Sequence, residues 1–209
     1  MEYKGNEFKG LAAGASYKRW AAIMGFTERF YRIGVGDKTF TDPVKALDLG
    51  CGPGALSYAL AEKLGPDSEI TGIDISNDQL NFARENACGY QCKINFLNCS
   101  MDELTFSDNS FDLVMTSMAL HETPPSVRRK AIKEVARILK PGGEFILVDW
   151  SKPKFGLFGV LWFPMLCFGK NNVDNWHNVY PELCTDAGMQ LVADKYINSV
   201  ARRQVFIKR

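Results

Sequence analysis

Histidine is nearly absent from this 209-residue chain, which holds only His121 and His177. Imidazole is the side chain that titrates near neutrality without help. A general base from the ordinary pool therefore narrows to two positions, and a histidine-rich metal site is excluded. Net charge is equally scant at +1, so charge alone implies neither a nucleic-acid nor an acidic partner. No apolar run reaches the roughly 18–20 residues that span a bilayer. No apolar signal region opens the chain (MEYKGNEFKG), so a cytosolic, cytoplasmic product is expected. Six cysteines without a secretory signal read as reduced thiols, not as a disulfide framework. Cys88-x3-Cys92 has no compact second ligand pair, so no metal is expected. Linkers and low-complexity runs are missing too, and the length suits one domain.

What the chain does have is one stretch around which the rest is arranged, Lys45-Ala-Leu-Asp48-Leu-Gly50-Cys51-Gly52-Pro-Gly54-Ala-Leu56. It reads as a buried strand, a turn with three glycines and the opening of an amphipathic helix. Backbone there can lie against a ligand, and a helix start offers unpaired N–H groups. Gly50-x-Gly52-x-x-Ala55 alone would also suit a dinucleotide. Asp48 breaks the tie, because a carboxylate at the strand end repels a pyrophosphate and attracts an ammonium group. Asp74 ends the next strand about 20 residues past the last glycine, the spacing at which a carboxylate reaches a ribose diol. A nucleoside with a cationic amino-acid arm and no phosphates satisfies both, and S-adenosylmethionine is such a molecule.

These residues resemble the motifs of class I S-adenosylmethionine-dependent methyltransferases. Asp48-Leu-Gly-Cys-Gly-Pro-Gly54 is similar to the family's first motif, Thr71-Gly-Ile-Asp-Ile-Ser76 to its ribose-binding strand end, and Leu139-Lys-Pro-Gly-Gly-Glu-Phe-Ile-Leu147 to the turn before its fifth strand. The resemblance covers about half the chain and is nearest in flavour to the ubiquinone and menaquinone C-methyltransferases. It implies a cofactor site of Asp48, Gly50, Cys51, Gly52, Gly54, Asp74, Ile75, Ser100, Met101, Asp102 and Ser117. Within that set Asp102 would meet the adenine amino group and Met101 its ring. A helix cap is the plainer reading of Asp102.

Periodicity fills in the frame. Strands are predicted at 44–49, 69–74, 94–97, 111–116 and 144–150, with helices after the first, second and fourth. Ser76 is a helix N-cap with Gln79 at the third helical position. The alternation predicts an α/β fold, a doubly wound parallel sheet with its ligand at the C-terminal strand ends. Two further strands at 190–196 and 201–207 would complete the Rossmann-like, seven-stranded, mostly parallel sheet with one antiparallel strand that the resemblance implies. Before all this, residues 1–40 read as a helical cover. Ser16 would cap a helix whose Trp20, Ile23, Met24, Thr27, Phe30 and Tyr31 form an inward stripe. The expected organisation is a cover at 1–40, a cofactor-binding core at 44–150, and an acceptor lid with C-terminal strands at 151–209.

For chemistry, His121 follows the fourth strand, where the acceptor should lie, and is the first candidate base. Tyr17 in the cover is the second candidate participant. His177 reads as structural, although with Trp176 it could wall the acceptor pocket. Residues 155–168 are almost wholly apolar but broken by Gly159 and Pro164, and read as a greasy lid over a lipophilic or aromatic acceptor. Transient membrane contact through that segment and a homodimer are left open. Nucleic acid is disfavoured, since the aromatic turn of base-amino methyltransferases is missing after the fourth strand. Arg128, Arg129, Lys130, Lys133, Arg137 and Lys140 read as a solvated basic face. The resulting expectation is methyl transfer from S-adenosylmethionine to a small apolar, quinone-like acceptor. A thiol or metalloid acceptor (from Cys167 and Cys184), a non-catalytic cofactor-binding protein and a nicotinamide enzyme are the alternatives.

Overall fold

The structure, a computed structural model, describes residues 3–154 and 173–209. The apolar segment 155–168 and Cys167 lie outside those residues. Seven strands form one sheet: β1 (Lys45–Leu49), β2 (Glu69–Asp74), β3 (Lys93–Asn98), β4 (Phe111–Ser117), β5 (Leu139–Trp150), β6 (Met189–Tyr196) and β7 (Ala201–Lys208). Their spatial order is β3-β2-β1-β4-β5-β7-β6, with β7 alone running antiparallel to its neighbours. The expected strands are all present, and their ends lie within a residue or two of the predicted ones except at β5. There Leu139 already pairs with Phe111, and a register shift between Phe111 and Leu113 absorbs the Lys140–Gly143 turn.

β1 is central because its side chains are buried on both faces: Ala46, Leu47 and Leu49 are fully enclosed and Asp48 is 1 % exposed. Chain order reverses around it, with β2 on one side and β4 on the other. That reversal opens a crevice at the C-terminal strand ends. Helices α3 (Ala55–Ala61), α4 (Asn77–Asn86) and α5 (Pro125–Ile138) make the crossovers, and α6 (Val173–His177) and α7 (Tyr180–Asp186) precede β6. The Ser76 cap is as predicted, its Oγ accepting from Gln79 N at 3.3 Å.

Two expectations need correction. The N-terminal stripe is not one helix, because Gly25 at φ +91° ends α1 (Gly14–Ile23) before α2 (Glu28–Val35) begins. α2 buries Phe30 and Val35, whereas Trp20 and Ile23 on α1 are 66 % and 75 % exposed. Ser16 sits inside the first turn of α1, and no side chain of Ala13, the N-cap, can serve the helix. The Gly14 N–H instead donates to Gln79 Oε1 at 2.9 Å, a cap supplied from α4. Arg128 is likewise not on the solvated face of α5. It is fully buried, with its guanidinium donating to the carbonyls of Leu120 and Thr123 and to Asp174 at 2.8–3.0 Å. A planar group with five donors can be enclosed where carbonyls and a carboxylate converge on it.

Candidate active site

A pocket of about 800 Å³, counting its solvent-open mouth, lies over the C-terminal ends of β1, β2 and β4. Its floor is the glycine loop. The N–H groups of Gly50 and Cys51 both donate to Ile73 O, at 2.9 and 2.8 Å, which draws the loop across the end of β2. Gly50 has φ +76°, and a Cβ there would stand 2.6 Å from that of Ala119. Gly52 N donates to Asp74 Oδ2 at 2.9 Å and Ser76 N to its Oδ1 at 2.8 Å. Burial raises the Asp74 pKa, and these N–H groups work against that rise.

Asp48 is the carboxylate of the pocket with an unmet oxygen. Ser57 donates to its Oδ2 at 2.7 Å, while Oδ1 is buried with no partner. Burial pushes the carboxyl up to about 7, against the opposing pull of Ser57. An enclosed anion with a bare oxygen is costly. A ligand cation beside it would remove that cost and restore the charge.

The expected site residues mostly converge. Asp48, Gly50, Cys51, Gly52, Asp74, Ile75, Ser100, Met101, Ser117 and Tyr17 all line the pocket. Ser117 Oγ is a second buried atom without a partner. Tyr17 packs its ring against Phe8, and burial together with the charges of Glu122, Asp74 and Asp149 raises its hydroxyl to about 12.

Three expected residues are not on the pocket wall. Gly54, at φ +88°, instead admits the Tyr58 ring, which a Cβ would meet at 2.6 Å. Asp102 is held by Lys4 Nζ at 2.7 Å and Ser100 Oγ at 2.5 Å; despite its burial these hold its carboxyl below the usual range. His121 does not reach the pocket and is no neutral base. Burial lowers its pKa, but Asp149 at 2.7 Å and Glu122 at 3.2 Å raise it further, to about 10. Trp176 and His177 are not on the wall either; Trp176 packs against Trp150 and Val200.

The sequence reading also missed a set of contributors. Tyr31, Gln79, Glu122 and Thr123 line the pocket, as do Lys4, Gly5, Asn6 and Phe8 of the extended N-terminal segment. That segment is pinned on both banks: Asn6 donates to Glu122, the Phe8 carbonyl accepts from Ser76, and Gly10 N donates to Asp78 at 2.8 Å. Only the buried Gln79 following a Ser76 cap hinted at a tertiary partner. Nothing in MEYKGNEFKG announces these contacts. Among the described residues, no group of three His, Cys, Asp or Glu could hold a metal ion.

Comparison with known proteins bears directly on this geometry. A family model described as a methyltransferase domain matches residues 46–143, the span from β1 to the Gly143 turn. The demethylmenaquinone methyltransferase of Staphylococcus aureus (strain JH9) is 36 % identical over 131 residues, 60 % of this chain and 53 % of the relative. From β1 to the Gly143 turn, the chain is thus similar to a methyltransferase domain. Solved structures show the same fold around it. An S-adenosylmethionine-dependent methyltransferase from Aquifex aeolicus aligns with TM-score 0.69 at 18 % identity, over 90 % of this chain and 93 % of that one. A complex between the Haloferax volcanii Trm112 methyltransferase activator and the putative methyltransferase aligns with TM-score 0.71 at 21 % identity, over 91 % and 95 %. The chain spans about half the length of the curated relatives it matches.

An S-adenosylmethionine molecule would fit this pocket at two points. The bare Asp48 oxygen suits an ammonium group, and the glycine loop leaves room where a side chain would intrude.

Proposed function

We propose that this protein transfers a methyl group from S-adenosylmethionine to a small aromatic, quinone-like acceptor in the cytoplasm. The observation that carries the cofactor half is Asp48, a carboxylate 1 % exposed with an unpartnered oxygen in the pocket. The acceptor half is supported by the Tyr17, Tyr31 and Met118 side of the pocket and by the name of the Staphylococcus relative.

When bound, the cofactor supplies a methyl on a sulfonium, already a good electrophile. The chain's work is then to hold and orient. Asp48 receives the amino-acid ammonium, and Asp74 accepts from the ribose hydroxyls with the lone pairs its two N–H partners leave. The backbone of Gly50–Gly52 borders the amino-acid arm, and Ser100 and Met101 border the base. Asp102 acts through the turn it fixes with Ser100 and Lys4. Tyr17 and Tyr31 close the acceptor side and exclude water. His121 takes no proton from the acceptor, because it already holds one.

Calorimetry with S-adenosylhomocysteine tests the cofactor half. Wild type should bind, and Asp74→Ala should lose about 1–3 kcal/mol through its charged hydrogen bonds. No binding, or tight binding of NADH instead, would sink it. Labelled cofactor offered with a panel of quinols, phenols, amines and thiols then tests the acceptor. Product on none of them would leave a cofactor-binding protein without turnover. The thiol or metalloid reading gains nothing from Cys184, which is buried in the core with its thiol pKa pushed up by that burial.

A further inference from the structure

Among the described residues three carboxylates line the pocket, and the proposed cofactor accounts for two of them. Asp48 and Asp74 stand at the ends of β1 and β2. Glu122 stands on the opposite bank, in the 3-10 turn Leu120–Glu122 that follows β4. Its support is elaborate for a glutamate whose side chain is 32 % exposed. His121 Nε2 lies 3.2 Å from Glu122 Oε1, and His121 Nδ1 lies 2.7 Å from Asp149 Oδ1. Asp149 is 1 % exposed, and its other oxygen accepts the His121 backbone N–H at 3.2 Å. With a carboxylate on each ring nitrogen, both nitrogens are donors. An imidazolium fixed in this way cannot serve as a base, but it can hold Glu122 in place and ionised. Burial opposes the Glu122 charge, yet His121 and the Asn6 amide outweigh it and keep the carboxyl below its usual range. Such a buried charge pair is a poor source of stability. Its product is a fixed acceptor of hydrogen bonds facing the cavity.

We propose that Glu122, backed by His121 and Asp149, is a positioning residue that accepts a hydrogen bond from a hydroxyl of the methyl acceptor. This rests on the aromatic-acceptor reading above and narrows it to rings that carry a donor, phenols and hydroquinols in place of ethers and oxidised quinones. A site built around a charged acceptor discriminates strongly against a ligand without the donor, because its own group is then left desolvated and unmatched. The other groups around this unit are Asn6 from the N-terminal segment, Tyr17 from α1, the Trp150 ring edge-on to His121, and Tyr180, whose hydroxyl feels the Asp149 charge.

The test compares 1-naphthol with its methyl ether as ligands of the protein saturated with S-adenosylhomocysteine, by fluorescence titration. Wild type should prefer the naphthol by about tenfold or more, evenly between pH 6 and 8. Glu122→Gln should bring the ratio within about twofold while S-adenosylhomocysteine affinity moves less than about threefold. Asp149→Asn leaves Glu122 in place but frees His121 to titrate, so the preference should be present at pH 6 and fade towards pH 8. A preference that survives Glu122→Gln would overturn the proposal; Glu122 would then only clamp Asn6, which the glutamine carbonyl can still do. A wild type indifferent to the hydroxyl would overturn it as well. Failure to bind S-adenosylhomocysteine would sink the cofactor assignment, and failure of both rings on cofactor-competent protein would sink the aromatic-acceptor reading and this inference with it.

Discussion

α5 packs on the sheet and α1 against α4, and the two are held in place by different forces. α5 buries Ala131, Ala136 and the larger Val127, Ile132, Val135 and Ile138, each of these four contributing roughly 1.5–3 kcal/mol when fully enclosed. α1 buries only Gly14 and turns Trp20 and Ile23 to solvent. It and the segment before it are tied down by polar contacts to α4, its cap and the turn after β3: Gly14 to Gln79, Gly10 to Asp78, Phe8 to Ser76, Lys4 to Asp102. The neutral bonds of this set are worth only about 0.5–1.5 kcal/mol net, and those to the Asp78 and Asp102 carboxylates about 1.5–3 at most, less where solvent reaches them. The sheet and its crossovers therefore rest on apolar burial, and residues 3–23 largely on polar contacts.

Ile132→Ala should have the largest effect, lowering unfolding free energy by about 2–5 kcal/mol in urea titrations. A loss below that of a typical surface change would break the contrast outright. Asp48→Asn should do the opposite on the scaffold side, stabilising the ligand-free protein by about 1–3 kcal/mol at pH 8 while weakening S-adenosylhomocysteine binding. A carboxyl whose folded pKa is raised favours the folded state while protonated. Its contribution is thus full below about pH 4 and lost as pH rises through about 7. Binding runs the other way, since the cofactor's ammonium needs the charged form: affinity in calorimetry should fall below pH 7, by up to about tenfold per unit. Flat affinity from pH 5 to 8 would remove Asp48 from that role. Lys4→Met should leave the unfolding midpoint in place yet speed amide exchange across residues 5–14. Trp20→Ala should be smallest, within about 0.5 kcal/mol, and a larger cost would show α1 to be packed after all.

How far the sequence carried the fold follows the same division. Strands β1, β2 and β4 could be read to within a residue or two because burial on both faces leaves apolar runs between turn signals, whereas the half-exposed edge strand β3 was read from its alternation alone. Asp48 and Asp74 stood out because a carboxylate ending such a run has no packing reason to be there. The cover could not be read in the same way. Its apolar stripe matched a core helix, and only the left-handed Gly25 turn and the partners supplied by α4 decide that Trp20 faces water. His121 misled for a related reason: its role depends on Asp149, 28 residues away and known only from the register of β4 against β5. Arg128 was invisible likewise, since the carboxylate that lets it be buried, Asp174, is 46 residues on.

The position of β7 has a further consequence. Of the seven described strands it comes last in sequence, yet it lies inside the sheet and bridges β5 and β6. On the ribosome, β1 to β5 can pair as they emerge, but β5 must wait with a bare edge until Ala201–Lys208 has been made. An unpaired edge of that length invites pairing between nascent chains. Synthesis that stalls before Ala201 should yield aggregates, not a trimmed but folded domain.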